Sequence, residues 1–124
     1  SWRCDMKIND VIAQTRALTR GKYDDAQLIK WLSRLDAKIH NEIITQYVDW
    51  DGKEFAPYTD GEQELIIPYV YGEVYDYYLK AKICESNGES NGYNAAVQNF
   101  SSAYEDFANW YRRTHVHGKS YIRF

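Results

Sequence analysis

The chain has 124 residues, of which 44% are hydrophobic and 16% aromatic, and its formal net charge at neutral pH is −3. This length suits one hydrophobic core, so we expect a single domain over residues 1–124, and the apolar content excludes a disordered segment. The two cysteines, Cys4 and Cys84, form no zinc or redox motif, which favours a reduced folding compartment. No stretch has the ~18 apolar residues of a membrane span and no signal-peptide pattern is visible, so we expect a soluble protein without a membrane partner.

The acidic residues are concentrated in the middle of the chain. Residues 48–76 contain eight acidic residues and one lysine, whereas the segments on either side each contain two more basic than acidic residues. No basic stripe that would grip a phosphate backbone is present, which disfavours binding of free nucleic acid.

Two helices are predicted in the first part of the chain. The first is short, over residues 9–18, and Gly21 is placed to end it. The second is predicted to begin at Asp24, with Gln27 in the position of a capping box, and to run for about 24 residues. Its apolar residues recur every three or four positions and form one face: Leu28, Leu32, Leu35, Ile39, Ile43 and Tyr47.

Residues 48–64 interrupt the helical pattern. Asp51-Gly52 is a dipeptide typical of tight turns between strands, and it predicts either a short β-hairpin or an ordered loop. Pro68 suits the first turn of a third helix, which the apolar spacing predicts over about residues 69–86.

After a polar connection at residues 86–92, the aromatic spacing predicts a fourth helix over about residues 92–114, paired antiparallel with the third. Residues 115–124 show no helical period and are predicted to form an extended tail. The predicted fold class is therefore mainly α: a small bundle of three long helices plus a short N-terminal one over residues 7–114, with a loop or β-hairpin insertion.

Three groups of residues could carry chemistry, but each favours a structural interpretation. His115-Val116-His117 has only two of the ligands that zinc needs, and Asp49 to Glu54 lacks the register of a calcium-binding loop. Asp36 and His40 are four residues apart on the second predicted helix, and a solvated pair is favoured over a catalytic one. We therefore expect no enzymatic activity, no catalytic residue, no metal and no cofactor.

Two other features favour contacts with further protein chains. The third predicted helix carries tyrosines on more than one face, so we expect some of them at a subunit interface: Tyr69, Tyr71, Tyr75 and Tyr77. The tail alternates apolar and basic residues without an acid, which suits docking on a partner's groove or sheet edge, the alternative being a frayed terminus.

Two stretches carry a resemblance to a known family. Residues 64–83 (ELIIPYVYGEVYDYYLKAKI) and residues 93–115 (YNAAVQNFSSAYEDFANWYRRTH) are similar to the head–tail connector, or adaptor, proteins of siphovirus-type phages and prophages. Residues 7–44 are compatible with the same family, so the resemblance covers most of the chain. It depends on overall pattern and not on a catalytic signature.

The resemblance implies a structural protein of the virion neck, assembled in the cytoplasm of the host bacterium. Such adaptors form a ring, commonly a dodecamer, between the portal protein and the next neck or tail-completion protein, and DNA passes through without specific binding. The resemblance further implies that the C-terminal segment docks on the portal, through Arg112, Arg113, His115, His117, Lys119, Tyr121, Ile122 and Phe124. An acidic loop would face the channel or the next neck protein, through Asp49, Asp51, Glu54 and Asp60.

Two other functions remain open at this point. A different phage head-completion protein, such as a stopper, would be rich in β-strands. A helical protein-interaction module of the host cell would be a discrete monomer or dimer without affinity for a portal.

Overall fold

Four α-helices make up most of residues 5–19 and 23–115, the part of the chain that the computed structural model describes. The helices are α1 (Ile8–Thr19), α2 (Asp25–Glu42), α3 (Glu73–Asn87) and α4 (Ser90–Thr114). Two short 3-10 turns, Ile44–Gln46 and Tyr69–Tyr71, follow α2 and precede α3. The prediction of a mainly helical bundle is confirmed.

The start of α2 follows the sequence closely, but its end does not. The Asp24 carboxylate accepts a hydrogen bond from the Gln27 backbone N–H at 2.9 Å, as the capping pattern predicts. The helix ends at Glu42, about five residues earlier than predicted. The apolar stripe continues because Ile43 and Ile44 still pack against the core in the 3-10 turn, and Tyr47 is buried in extended backbone.

The core lies where α1, α2 and α3 meet, and one aromatic residue of α4 closes it. Fully buried side chains come from each of these helices and, at Ile67, from the segment before α3. The largest of them are Tyr75, Phe107, Ile8, Leu28, Leu32, Ile39, Ile67 and Leu79. This distribution shows that the helices share a single core, as a domain of this length requires.

The helices α3 and α4 form an antiparallel pair. Tyr78 of α3 packs on Phe100 at a ring distance of 5.7 Å, and Tyr71, in the turn before α3, packs on Phe107 at 6.3 Å. The residue that comes earlier before and in α3 therefore contacts the residue that comes later in α4. The turn between them is tight because Gly88 adopts a left-handed φ of 73°, which a residue without Cβ accepts at low cost.

The segment between residues 48 and 64 is an irregular loop and contains neither a strand nor a β-hairpin. Asp51 and Gly52 do form a tight turn, in which the Asp51 carboxylate accepts from the Lys53 N–H at 2.9 Å and Gly52 has a φ of 82°. No hairpin follows because the chain turns back over α2, where Phe55 packs on His40 at a ring distance of 5.9 Å. The hairpin alternative is therefore not what the structure shows.

The segment after the loop returns to the beginning of α1. There Lys7 and Glu64 form an isolated antiparallel bridge, and the Leu65 N–H donates to the Met6 carbonyl at 2.8 Å.

Some predicted features lie outside the described residues: the cap Gly21, Cys4, and residues 116–124 of the tail. Within the described part, no helix combines the length and the apolar character needed to cross a membrane.

Candidate functional site

A buried carboxylate holds the loop onto the helices. Asp36 of α2 is 0% exposed and accepts hydrogen bonds from the Tyr75 hydroxyl at 2.7 Å, from the Ile66 N–H at 3.0 Å and from the Tyr58 hydroxyl. The Tyr75 hydroxyl itself accepts from the Ile67 N–H at 2.8 Å. The Asp36 side chain thereby joins α2 to α3, to Tyr58 in the loop and to Ile66 in the segment after the loop.

The electrostatics of this network follow from its burial. Removal from water raises the pKa of Asp36 to about 6, while the hydrogen bonds from Tyr58, Ile66 and Tyr75 act in the opposite direction. Burial and the nearby Asp36 charge raise the pKa of both tyrosines far enough that their hydroxyls remain donors. The arrangement is a structural anchor, because the three hydrogen-bond donors to the carboxylate, Tyr58, Ile66 and Tyr75, all come from other segments of the chain itself.

The predicted solvated pair of Asp36 and His40 is wrong. Asp36 uses its oxygens for the tyrosines and Ile66, and His40 is itself only 8% exposed. The His40 ring lies against Trp50 at 5.8 Å and Phe55 at 5.9 Å, and its Nδ1 is buried without a hydrogen-bond partner among the described residues. The loop covers this face of α2 and excludes the water that a solvated pair would need.

A signal for the buried anchor exists in the sequence. Asp36 is four residues after Leu32 and three before Ile39, so it lies on the edge of the apolar face of α2. An acid at such a position needs donors when it is buried, and tyrosines elsewhere in the chain provide them. The partners themselves could not be identified, because they are 22 to 39 residues away along the chain.

Beside the anchor, the loop and α2 enclose an open cleft, which we call the loop cleft, with a volume of about 390 Å³. Its lining includes His40, four aromatic rings and three exposed acids; the rings are Trp50, Phe55, Tyr58 and Tyr111, and the acids are Asp49, Asp51 and Glu54. The Trp50 indole N–H donates to the Lys53 carbonyl at 3.1 Å, which holds the ring within the loop.

The predicted acidic loop is only partly brought together. Asp49, Asp51 and Glu54 are exposed at the loop cleft, whereas Asp60 lies in a separate turn, where it accepts from the Glu62 N–H at 2.8 Å. At the end of α4, His115 stacks on Tyr111 with ring centroids 3.6 Å apart, and its Nε2 lies 3.5 Å from an Asp49 carboxylate oxygen.

The four tyrosines predicted at a subunit interface have different environments. Tyr75 is 0% exposed and bonds Asp36, so its prediction as an interface residue is wrong, since no second subunit can reach it. Tyr71 packs on Trp110 at 5.3 Å, and Tyr77 is partly buried. Tyr69 is 67% exposed, and its neighbour Val70 is 77% exposed.

Of the predicted portal-docking residues, three are described. Arg112 and Arg113 are exposed in the last turn of α4, where their charge opposes the partial charge of the helix end, and His115 is partly buried. The other five, His117, Lys119, Tyr121, Ile122 and Phe124, lie outside the described residues. The second histidine of the His115-Val116-His117 motif is among these five, so the structure does not test the motif. The described residues contain no group of three or more potential metal ligands.

Comparisons of this chain with models of protein families, with curated proteins and with solved structures found no match.

Proposed function

We propose that this chain is a structural neck protein of a phage virion. It assembles as a ring between the portal protein and the next neck or tail-completion protein, and the ring extends the channel through which DNA passes. The protein functions by assembling with other chains. Neighbouring subunits contact one another, and the C-terminal tail docks on the portal.

The observation that carries the proposal is an exposed apolar patch formed by Tyr69 and Val70. Both lie in the 3-10 turn Tyr69–Tyr71 before α3, and they are 67% and 77% exposed. Large apolar side chains that stay in contact with water next to a well-packed core are typical of protein–protein contact sites. The patch is part of the segment whose sequence resembles phage adaptors.

The helical architecture favours this proposal over its nearest rival. Stopper proteins are rich in β-strands, whereas the described residues of this chain form helices, turns and loops and contain no β-strand. A ring also benefits from its closure, because each added subunit makes two contacts and weak contacts reinforce one another through effective concentration.

The acidic residues of the loop have two possible roles in such a ring. At the channel wall, Asp49, Asp51 and Glu54 would repel phosphate and let DNA slide, and facing outward they would contact the next neck protein. Replacing these three with Asn or Gln separates the roles, since slower or trapped DNA passage is expected only at a channel wall. Unchanged ejection kinetics would exclude the channel role.

The experiment that tests the function is native mass spectrometry of this protein mixed with the portal protein of its own genome, with and without residues 115–124. We expect about one copy per portal chain and loss of the complex on truncation. Binding that survives truncation would keep the adaptor function and contradict the docking role of the tail. The absence of a complex at any concentration would contradict the proposal and favour a helical interaction module of the host cell.

A further inference from the structure

We propose that copies of this chain associate head to tail, with the exposed apolar patch of one copy seated in a groove along α2 of the next copy. The patch consists of Tyr69 and Val70, and the groove, which we call the α2 groove, lies between α2 and residues 54–59 of the loop. The proposal rests on the proposed function, because it names the two surfaces that neighbouring subunits of the ring bring together.

The α2 groove combines apolar side chains with two cations. Its volume of about 620 Å³ is within the roughly 300–1,000 Å³ typical of ligand pockets. Lys30 and Arg34 line it and are exposed, and Glu54 is the acid among the lining residues. The groove can therefore receive large apolar side chains that have negative charges beside them. Its apolar lining comes from both the helix and the loop: Ala26, Ile29, Ala37, Phe55 and Pro57.

The basic side chains of α2 continue beyond the groove as a line along the exposed face of the helix. Lys30, Arg34 and Lys38 are four residues apart, and none of them forms an ion pair with a described residue. Like charges at this spacing repel one another and weaken an isolated helix. Helix stability therefore does not explain the line, whereas contact with an acidic surface does.

The apolar patch lies in acidic surroundings. Tyr69 and Val70 line a depression between the beginnings of α1 and α3, and the charged residues that line it with them are all acids: Asp5, Asp10, Glu73 and Asp76. Neither Glu73 nor Asp76 forms an ion pair with a described residue. Burial and the neighbouring Glu73 raise the pKa of Asp76, so a cation from another chain would stabilise these carboxylates.

The two surfaces are complementary and belong to one molecule. The patch offers exposed apolar side chains among acids, the groove offers an apolar lining beside bases, and the two share no residue. Opposite charges around an apolar contact favour this pairing over patch against patch or groove against groove. A contact between different surfaces of identical chains is heterologous, and it closes into a ring when the rotation between copies permits.

The test is NMR of the full chain without a portal. As the concentration of isotope-labelled chain increases, we expect the backbone amide resonances of Val70 and Arg34 to shift together and saturably, because both surfaces become covered. The variant Lys30→Glu with Arg34→Glu reverses the charge of the groove. The variant Glu73→Lys with Asp76→Lys reverses the charge beside the patch. Each variant should weaken self-association by at least about 10-fold.

A combined variant with all four substitutions restores opposite charges across the contact and keeps the net charge of the parent, so it should recover most of the association. Glu105→Lys with Asp106→Lys makes the same charge change as the patch variant at exposed positions of α4 and should associate like the parent. Tyr69→Ser with Val70→Ser removes the apolar side chains without changing the charge, and it should abolish the shift at Arg34.

Three results would overturn the proposal. The absence of any concentration-dependent shift would show that isolated copies do not make this contact. A shift at Val70 without one at Arg34 would indicate that patches contact each other. A combined variant as weak as the two variants from which it is built would exclude attraction between these surfaces. No portal is present in these measurements, so failure of this contact and failure of the neck function are separately detectable.

Discussion

At the scale of single residues, the position of Asp36 shows how burial and hydrogen bonding oppose each other. Burial disfavours the charged carboxylate, and the three donors Tyr58, Tyr75 and Ile66 favour it. The raised pKa shows that burial is the larger effect, although the donors make the ionised form acceptable at neutral pH. Removal of one donor leaves the buried carboxylate with fewer hydrogen bonds, and removal of Asp36 leaves three donors without their acceptor, of which the Tyr75 hydroxyl is fully buried.

The first prediction concerns the donors. Tyr75→Phe removes the hydroxyl that donates to Asp36 and accepts from Ile67, so we expect it to lower the free energy of unfolding by about 1–3 kcal/mol in urea denaturation. Tyr69→Phe makes the same chemical change at an exposed position and should cost less than about 0.5 kcal/mol. Equal effects of the two variants would contradict the role of the network.

The second prediction concerns pH. Because the pKa of Asp36 rises from 3.8 to about 6 on folding, the folded chain binds the proton more tightly than the unfolded chain. The contribution of Asp36 to stability therefore falls as the pH rises from about 4 to about 6 and is constant above that range, a change on the order of 3 kcal/mol.

Urea unfolding between pH 4 and pH 7 measures this contribution when the chain is compared with Asp36→Asn, which cannot titrate at this position. The stability of the parent relative to the variant should decrease over that pH range. A difference that is independent of pH, or that increases with pH, would show that Asp36 does not bind its proton more tightly in the folded state.

At the scale of the elements, the helices form where local signals agree with packing. The capping residue of α2 and the glycine that ends α3 act within a few residues of themselves, so their effects are visible in the sequence. The end of α2 is less visible, because its apolar stripe continues through a 3-10 turn that packs on the same core. Periodicity of the side chains predicts which face is buried, but it does not distinguish the two kinds of helical turn.

The third prediction tests the cap. Asp24→Ala removes the acceptor for the Gln27 N–H and should lower the free energy of unfolding by about 1 kcal/mol in urea denaturation. Asp24→Asn keeps an acceptor oxygen at the same place and should retain most of the stability. A full loss in both variants would indicate that the charge of Asp24, and not its capping bond, stabilises α2.

At the scale of the whole molecule, the antiparallel pair α3 and α4 closes the core but leaves the turn before α3 uncovered. Phe107 is buried while Tyr69 and Val70 remain in water, although all three lie near the same end of this pair. Covering these side chains in a ring would gain roughly 25 cal/mol for each Å² of apolar surface buried. The proposed assembly therefore has a specific surface on which it can be tested.

The fourth prediction uses that surface. The double variant Tyr69→Ser with Val70→Ser should keep the thermal unfolding midpoint within a few degrees of the parent, because both side chains are exposed. It should nevertheless lose most of its portal-dependent assembly in native mass spectrometry. Val48→Ser, which also removes an exposed apolar side chain, is the control and should assemble normally. Normal assembly of the double variant would exclude the patch as a subunit contact.

The sequence alone was sufficient to predict the helical class, the four helices, the apolar face of α2 and the cap at Asp24, because these depend on spacing and bonds between near neighbours. The tertiary structure decided the features that join distant segments: the irregular loop instead of a hairpin, the buried Asp36 and the loop cleft beside His40. Tyr58 and Tyr75 reach Asp36 from 22 and 39 residues away, and no periodicity records such a distance. A buried charge is stable only where folding brings its donors together, so its place in the molecule is a property of the packed chain.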